Sequence, residues 1–143
     1  MRPKFNIAPG FSIVDFNGDS LILMKKRGKV LVFNFWFIAC GGCVKEIPEL
    51  NKMVEHFKEN SDIEFFAFTY DPKSHLVIFF RKTQFDFTIV PMARGIFYLY
   101  GVHQYPTTMI IDKSGKIAKI HKSIIDEDEL EGLIQEIEKL LDE

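Results

Sequence analysis

An α/β fold, a central mixed β-sheet flanked by helices, is predicted by three features of the sequence. Residues 30–37 form an apolar run of strand length whose single polar member is Asn34, as suits a strand covered by helices on both faces. Directly after it, Cys43, Ile47, Leu50, Met53, Val54 and Phe57 recur at helical spacing, and a second strand-then-helix pattern starts at Ile63. Near the C-terminus, Leu130, Leu133, Ile134, Ile137 and Leu140 make the inward stripe of another helix.

Residues 1–10, with Pro3, Pro9 and Gly10, read as an irregular lead-in. Residues 11–16 and 21–24 are the arms of a hairpin turned at Asn17-Gly18-Asp19, because Asn-Gly tolerates the positive φ angles of a type I′ turn. Residues 25–29 are a second turn, and their basic run Lys25-Lys26-Arg27 reads as the solvated end of a loop. The strand at 30–37 feeds a helix over about 40–60, in which Pro48 removes a backbone hydrogen bond and is expected to kink the axis. Residues 63–70 form a second central strand. Asp71-Pro72 then reads as a cap and first helical position for a helix to about Gln84. A short extended piece at 87–90 ends at Pro91, and a short helix at 93–100 stops at Gly101. Strands at 107–111 and 116–121 flank the turn Asp112-Lys-Ser-Gly115. A final helix at 126–141 opens on four acidic residues that suit its positive end. Two βαβ-like units thus share one sheet closed by an antiparallel hairpin. No repeat or linker interrupts the chain, which is read as one domain over 1–143.

Composition narrows the function classes. Apolar residues make up 47% of the 143, and fifteen are Phe, which is a globular composition. Phe65, Phe66, Phe68, Phe79, Phe80, Phe85 and Phe87 are read as core, with a partner surface as the other use for some of them. A net charge of −2 without a basic cluster argues against nucleic acid as a partner. The start Met1-Arg-Pro-Lys carries no apolar segment of a secretory signal, so the protein is cytosolic or a signal was removed before this numbering begins. The best apolar stretch is about half the length of a membrane-spanning helix, so no membrane span is expected.

The chemistry centres on Cys40-Gly-Gly-Cys43, delivered by the strand at 30–37 to the first turn of a helix. Helix N-termini offer unpartnered N–H groups and a partial positive charge, which stabilise a thiolate. Such placements lower a cysteine pKa from about 8.5 to roughly 3.5–7.5. Cys40 is therefore the expected nucleophile and Cys43 the resolving thiol. A zinc site would need four ligands, and His56, His75, His103 and His121 supply no close pair. No metal and no organic cofactor is expected. Cys-x-x-Cys beside a βαβ pattern reads as a thioredoxin-like redox pair. Glu46 lies three residues after Cys43, on a neighbouring helical position, where a carboxylate can take the resolving thiol's proton; a solvated helix glutamate is the alternative.

The chain resembles the thioredoxin fold, and more narrowly the TlpA/ResA-like branch of thiol-disulfide oxidoreductases. Asn34-Phe35-Trp36 before the motif, Glu46 and Pro48 after it, Tyr105-Pro106-Thr107-Thr108 and Asp112-Lys-Ser-Gly-Lys-Ile117 carry the resemblance. The N-terminal hairpin extension and the βα segment inserted at about 63–90 fit the same branch. The resemblance implies a cis bond before Pro106, set against the cysteine pair, and a free Tyr105 backbone that pairs with a substrate strand. It puts Cys40, Cys43, Glu46 and Pro106 in the catalytic set and Trp36, Tyr105 and Thr107 on the substrate side. Trp36 is read first as packing beside the site, and His103 as a surface histidine. Asn34 stands where thioredoxins carry a buried acid; a neutral amide relays no proton, which moves that task to Glu46.

The implied activity is reduction of disulfides in partner proteins by an expected monomer, fed by an upstream electron donor. The implied location is the periplasm or cell envelope, with the cytoplasm as the alternative. Ala39 and Gly41-Gly42 depart from the branch's usual Trp or Ser and proline, at positions that tune potentials spanning about −270 to −120 mV. Peroxide reduction on the same fold is the competing enzyme class, although Phe37 occupies the place where such enzymes carry Thr or Ser. A metal- or partner-binding module without turnover is the non-enzymatic alternative.

Overall fold

The computed structural model describes residues 7–143; the start of the predicted lead-in lies outside them. Five strands form the main sheet in the order β5-β4-β3-β6-β7. They are β3 (Val30–Trp36), β4 (Ile63–Thr69), β5 (Thr88–Val90), β6 (Thr107–Ile111) and β7 (Ile117–His121). Strands β3, β4 and β5 run parallel, whereas β6 is antiparallel to β3 and to β7. The sheet is therefore mixed, and the β6–β7 pair is the hairpin that closes it.

Alternation along β3 divides the core. Val30, Val32 and Trp36 point to one cluster, beneath α1 (Gly41–His56), α2 (Lys73–Phe79) and α4 (Glu127–Leu141). Leu31, Phe33 and Phe35 point to the other, beneath α3 (Arg94–Leu99) and the N-terminal hairpin. Every residue of β3 is buried, which explains why its sequence does not alternate in polarity. The predicted phenylalanine set is split between the faces: Phe85 and Phe87 pack in the first cluster, Phe66 and Phe68 in the second.

The N-terminal hairpin extension is present, and three local expectations are corrected. The N-terminal hairpin, β1 (Ser12–Val14) with β2 (Ser20–Ile22), is a separate two-stranded sheet, joined to β5 by the Phe16 N–H donating to the Ile89 carbonyl at 2.8 Å. Its turn is not type I′. Of the loop residues only Gly18 has positive φ, at 89°, and the Asp15 carboxylate accepts the N–H groups of Asn17 and Asp19. The return strand stops at Ile22, and Leu23–Lys26 forms a 3-10 turn that buries Leu23. Finally, Asp71 does not cap α2: Pro72 holds the cap position with no side-chain bond, and the helix ends at Phe79 rather than near Gln84. Residues beyond Phe80 are drawn over α1, where Asn51 donates to the Gln84 carbonyl and accepts the Asp86 N–H, and Phe85 packs on Trp36. Tertiary contacts override the helical pattern there.

Helix α1 closes at His56 because the Phe57 N–H turns back to the Met53 and Val54 carbonyls. Helix α4 starts as predicted, on a capping box: Asp126 accepts the Glu129 N–H at 2.8 Å, and the Glu129 carboxylate accepts the Asp126 N–H at 3.2 Å. Asp126→Ala is expected to lower unfolding free energy by about 1 kcal/mol in urea titration, and Asp126→Asn by much less.

Candidate active site

Strand β3 carries the chain to the C-terminal edge of the parallel strands and ends at Trp36. A tight turn follows, closed by the Cys40 N–H on the Phe37 carbonyl at 3.2 Å. Cys40 is then the N-cap of α1, and its sulfur accepts the Cys43 N–H at 3.2 Å. The two cysteines are joined as a disulfide. Their exposures differ: Cys40 is half-buried, whereas Cys43 is 1% exposed on the inner face of the helix. An incoming molecule can therefore reach Cys40 and not Cys43.

The loop before β6 lies against this pair. The Tyr105–Pro106 peptide bond is cis, and Pro106 is buried. A methyl group built on Gly42 would stand 3.8 Å from Pro106 Cδ and only 2.9 Å from Ile124 Cδ1. Gly42 is thus roofed by Ile124, which leaves no room for a larger residue unless that side chain swings away. Tyr105 is exposed at the rim, with its ring 4.7 Å from Phe37. Thr107 is buried and its hydroxyl donates to the Gln104 carbonyl at 2.7 Å, so its side chain braces the loop.

Below the pair sits a buried polar cluster. Asn34 Nδ2 donates to Glu46 Oε2 at 2.9 Å and to Thr108 Oγ1 at 3.0 Å, and Glu46 Oε1 accepts the Ile125 N–H at 3.0 Å. Glu46 is completely buried on α1, so the solvated-glutamate alternative is overturned. Burial pushes its carboxyl up to about 7, against the lowering effect of the Ile125 and Asn34 hydrogen bonds. A carboxylate poised near neutrality one turn from Cys43 is equipped to exchange a proton at physiological pH.

The predicted residues converge, but two assigned to the substrate side are buried: Thr107 turns its hydroxyl to the Gln104 carbonyl, and Trp36 packs in the core. Trp36 is fully buried, 5.2 Å from the Phe85 ring and 5.5 Å from that of Phe79, so it presents nothing to a docked substrate. The first reading of Trp36, as packing beside the site, holds, and the substrate-side role implied by the resemblance is corrected: its position in β3 directs it beneath α1 and α2. His103 is exposed on the loop leading to Pro106. Two contributors escape a reading of the sequence. Ile124 gives no signal there beyond being an apolar residue in a loop. Asp71, whose carboxylate accepts the Ile38 N–H at 2.9 Å in the turn before Cys40, is masked by its Asp-Pro context, which mimics a helix cap.

The comparisons with known proteins agree with this geometry. The model of the AhpC/TSA family matches residues 6–120. The thiol-disulfide oxidoreductase ResA of Bacillus cereus is 33% identical over 133 residues, covering 91% of this chain and 76% of that protein. The chain belongs to the AhpC/TSA family and, within it, to the ResA-like thiol-disulfide oxidoreductases. The thioredoxin-like protein YneN of Bacillus subtilis is 31% identical over 126 residues, covering 87% of this chain and 74% of its own. Among solved structures, a candidate thiol:disulfide interchange protein DsbE from Chlorobium tepidum superposes with a TM-score of 0.84 at 28% identity, over 95% of this chain and 96% of its own. The fold is thioredoxin-like and the protein is a thiol-disulfide oxidoreductase. Among the described residues, no helix is long and apolar enough to cross a membrane.

Proposed function

We propose that this thiol-disulfide oxidoreductase works as a reductant of disulfides in partner proteins, with Cys40 as nucleophile and Cys43 as resolving thiol. The unequal exposure of the two cysteines carries this reading. Cys40 thiolate attacks one sulfur of the partner disulfide, a Cys40–partner bond forms, and the other partner sulfur leaves as a thiolate. Cys43 then gives its proton to the Glu46 carboxylate and attacks Cys40, which expels the second partner sulfur. Two electrons pass to the partner, and the oxidised Cys40–Cys43 pair remains. An upstream dithiol donor must restore it, and the thiol transfer itself calls on no metal or organic cofactor. The exposed Tyr105 and the chain at Pro106 supply the edge along which a partner strand would lie, next to Cys40. The protein is taken to act as a monomer in the periplasm or envelope, a placement supported by its ResA-like kinship.

A redox titration against glutathione and turnover of a model protein disulfide test the reading together. A midpoint nearer the thioredoxin end of the range, about −270 mV, is expected, with one disulfide reduced per Cys40–Cys43 pair. A midpoint near −120 mV would reverse the direction to oxidation. Peroxide reduction is the poorer fit, since Phe37 is packed on the rings of Tyr70, Phe97 and Tyr105 and brings no hydroxyl toward Cys40. Rapid thiol loss to hydrogen peroxide, far above that of a free thiol, would favour it instead.

A further inference from the structure

The turn that presents Cys40 is held from outside its own strand. Strands β3 and β4 pair in parallel from Val30 with Ile63 to Trp36 with Thr69, where the ladder stops. Continued in the same register, the next partners would bring Ile38 opposite Asp71. No backbone rung forms there. Instead, the Ile38 N–H donates to Asp71 Oδ2 at 2.9 Å, so a side chain completes the ladder beyond the end of the sheet. Ile38 sits inside the turn whose closing bond runs from the Cys40 N–H to the Phe37 carbonyl.

The carboxylate is itself fixed on both sides. Thr69, fully buried, donates its hydroxyl to the same Oδ2 at 2.7 Å, and its oxygen accepts the Asp71 N–H at 3.2 Å. The Asp71 carbonyl accepts the Met92 N–H at 3.2 Å, and the Thr69 carbonyl accepts the Ala93 N–H at 2.8 Å. Met92 makes this contact with φ at 54°, a left-handed backbone that a non-glycine residue adopts at a cost. Three loops, those after β3, β4 and β5, are thereby tied together at Asp71. A half-buried N–H beyond the end of the ladder needs an acceptor, and one on a residue fixed this firmly also sets the position of the turn.

We propose that Asp71 is a positioning residue for the nucleophile: it holds the Phe37–Cys40 turn so that the Cys40 sulfur stays at the helix cap, facing the Cys43 N–H. The proposal rests on the thiol-disulfide reading above. Its consequence is kinetic. Without the Ile38 anchor the sulfur spends less time where an N–H stabilises its thiolate, so the reduced protein should attack disulfides more slowly, and its effective thiol pKa should rise.

The experiment compares reduced parent, Asp71→Ala and Asp71→Asn proteins in single-turnover attack on a small aromatic disulfide across pH. Asp71→Asn keeps an oxygen for both the Ile38 N–H and the Thr69 hydroxyl while removing the charge. Asp71→Ala is expected to slow attack about tenfold at neutral pH and to raise the apparent Cys40 pKa by about one unit, with Asp71→Asn close to the parent. Parent-like rate and pKa in Asp71→Ala would overturn the proposal. Equal changes in both variants would overturn it too, since charge and not geometry would then be at work. Should Asp71→Ala fail to fold, Thr69→Val is used, which frees the carboxylate; it should move both readouts in the same direction, and no movement would overturn the proposal. Failure of the underlying function is distinguishable, because the parent itself would then show no disulfide-dependent attack.

Discussion

Cys43→Ser should arrest the protein as a mixed disulfide, and Cys40→Ser should leave it unable to begin. The half-exposed Cys40 remains at the helix cap when Cys43 is replaced, so the first attack proceeds. The hydroxyl introduced by Cys43→Ser cannot displace the partner from Cys40, and the adduct persists until an external thiol removes it. With Cys40 replaced, the remaining thiol is 1% exposed and lies on the inner face of α1. Turnover of a protein disulfide should fall at least about a thousandfold in either variant, because a hydroxyl at its ordinary pKa is a poor nucleophile. Mass spectrometry under non-reducing conditions separates them: Cys43→Ser should carry one stoichiometric partner adduct and Cys40→Ser none. An adduct on Cys40→Ser, formed as fast as on Cys43→Ser, would reverse the two roles. The Asp71 variants add a gradation to this result, since they alter how fast the first bond forms and not whether it can be resolved.

Much of this site is readable from residues alone, and what escapes has a consistent physical character. The strand at 30–37, the cysteine pair at a helix start and the acidic opening of the last helix are local signals, set by periodicity and capping chemistry. Strand β6 is bounded just as locally, by a proline before it and an Asp-x-x-Gly turn after it. The features that differ depend on partners far along the chain. Asp71 serves Ile38, not the helix it precedes, and nothing near Asp71 in the sequence announces a strand end so much earlier in the chain. Helix α2 is cut short by the grip of Asn51 on residues 84–86. Trp36 stands in the motif's flank yet turns inward, because its place in β3 puts it on the α1 face. Glu46 is legible as a residue at the right spacing, but its complete burial, which decides its chemistry, comes from the loop before α4 folding over it.

Replacing Glu46 with Gln should remove a pH dependence from both stability and resolution. In the unfolded chain this carboxyl titrates near 4.5; in the fold burial pushes it up to about 7. Below pH 4.5 both states hold the proton and the group has no effect on the folding balance. Between 4.5 and 7 the unfolded chain gives up a proton that the folded protein retains, so stability falls as pH rises through this window. Above 7 the fold bears the whole cost of a buried carboxylate, about 3 kcal/mol for a shift of this size. The neutral amide of Glu46→Gln carries no such cost, so urea unfolding of the oxidised variant should match the parent at about pH 4.5 and exceed it by up to about 3 kcal/mol at about pH 8. The substitution can be absorbed: the amide oxygen keeps the Ile125 N–H, and Asn34, whose Oδ1 has no partner among the described residues, can turn that oxygen toward the new amide hydrogens. Resolution should respond in the opposite sense. Without a carboxylate to receive the Cys43 proton, release of the trapped partner should slow about a hundredfold at about pH 7 and lose its inflection near neutrality, recovering only as alkali ionises the thiol directly. A gain in stability with a loss in rate is the signature of a group kept for chemistry; equal stability in mild alkali, or an unchanged rate profile, would place the proton elsewhere.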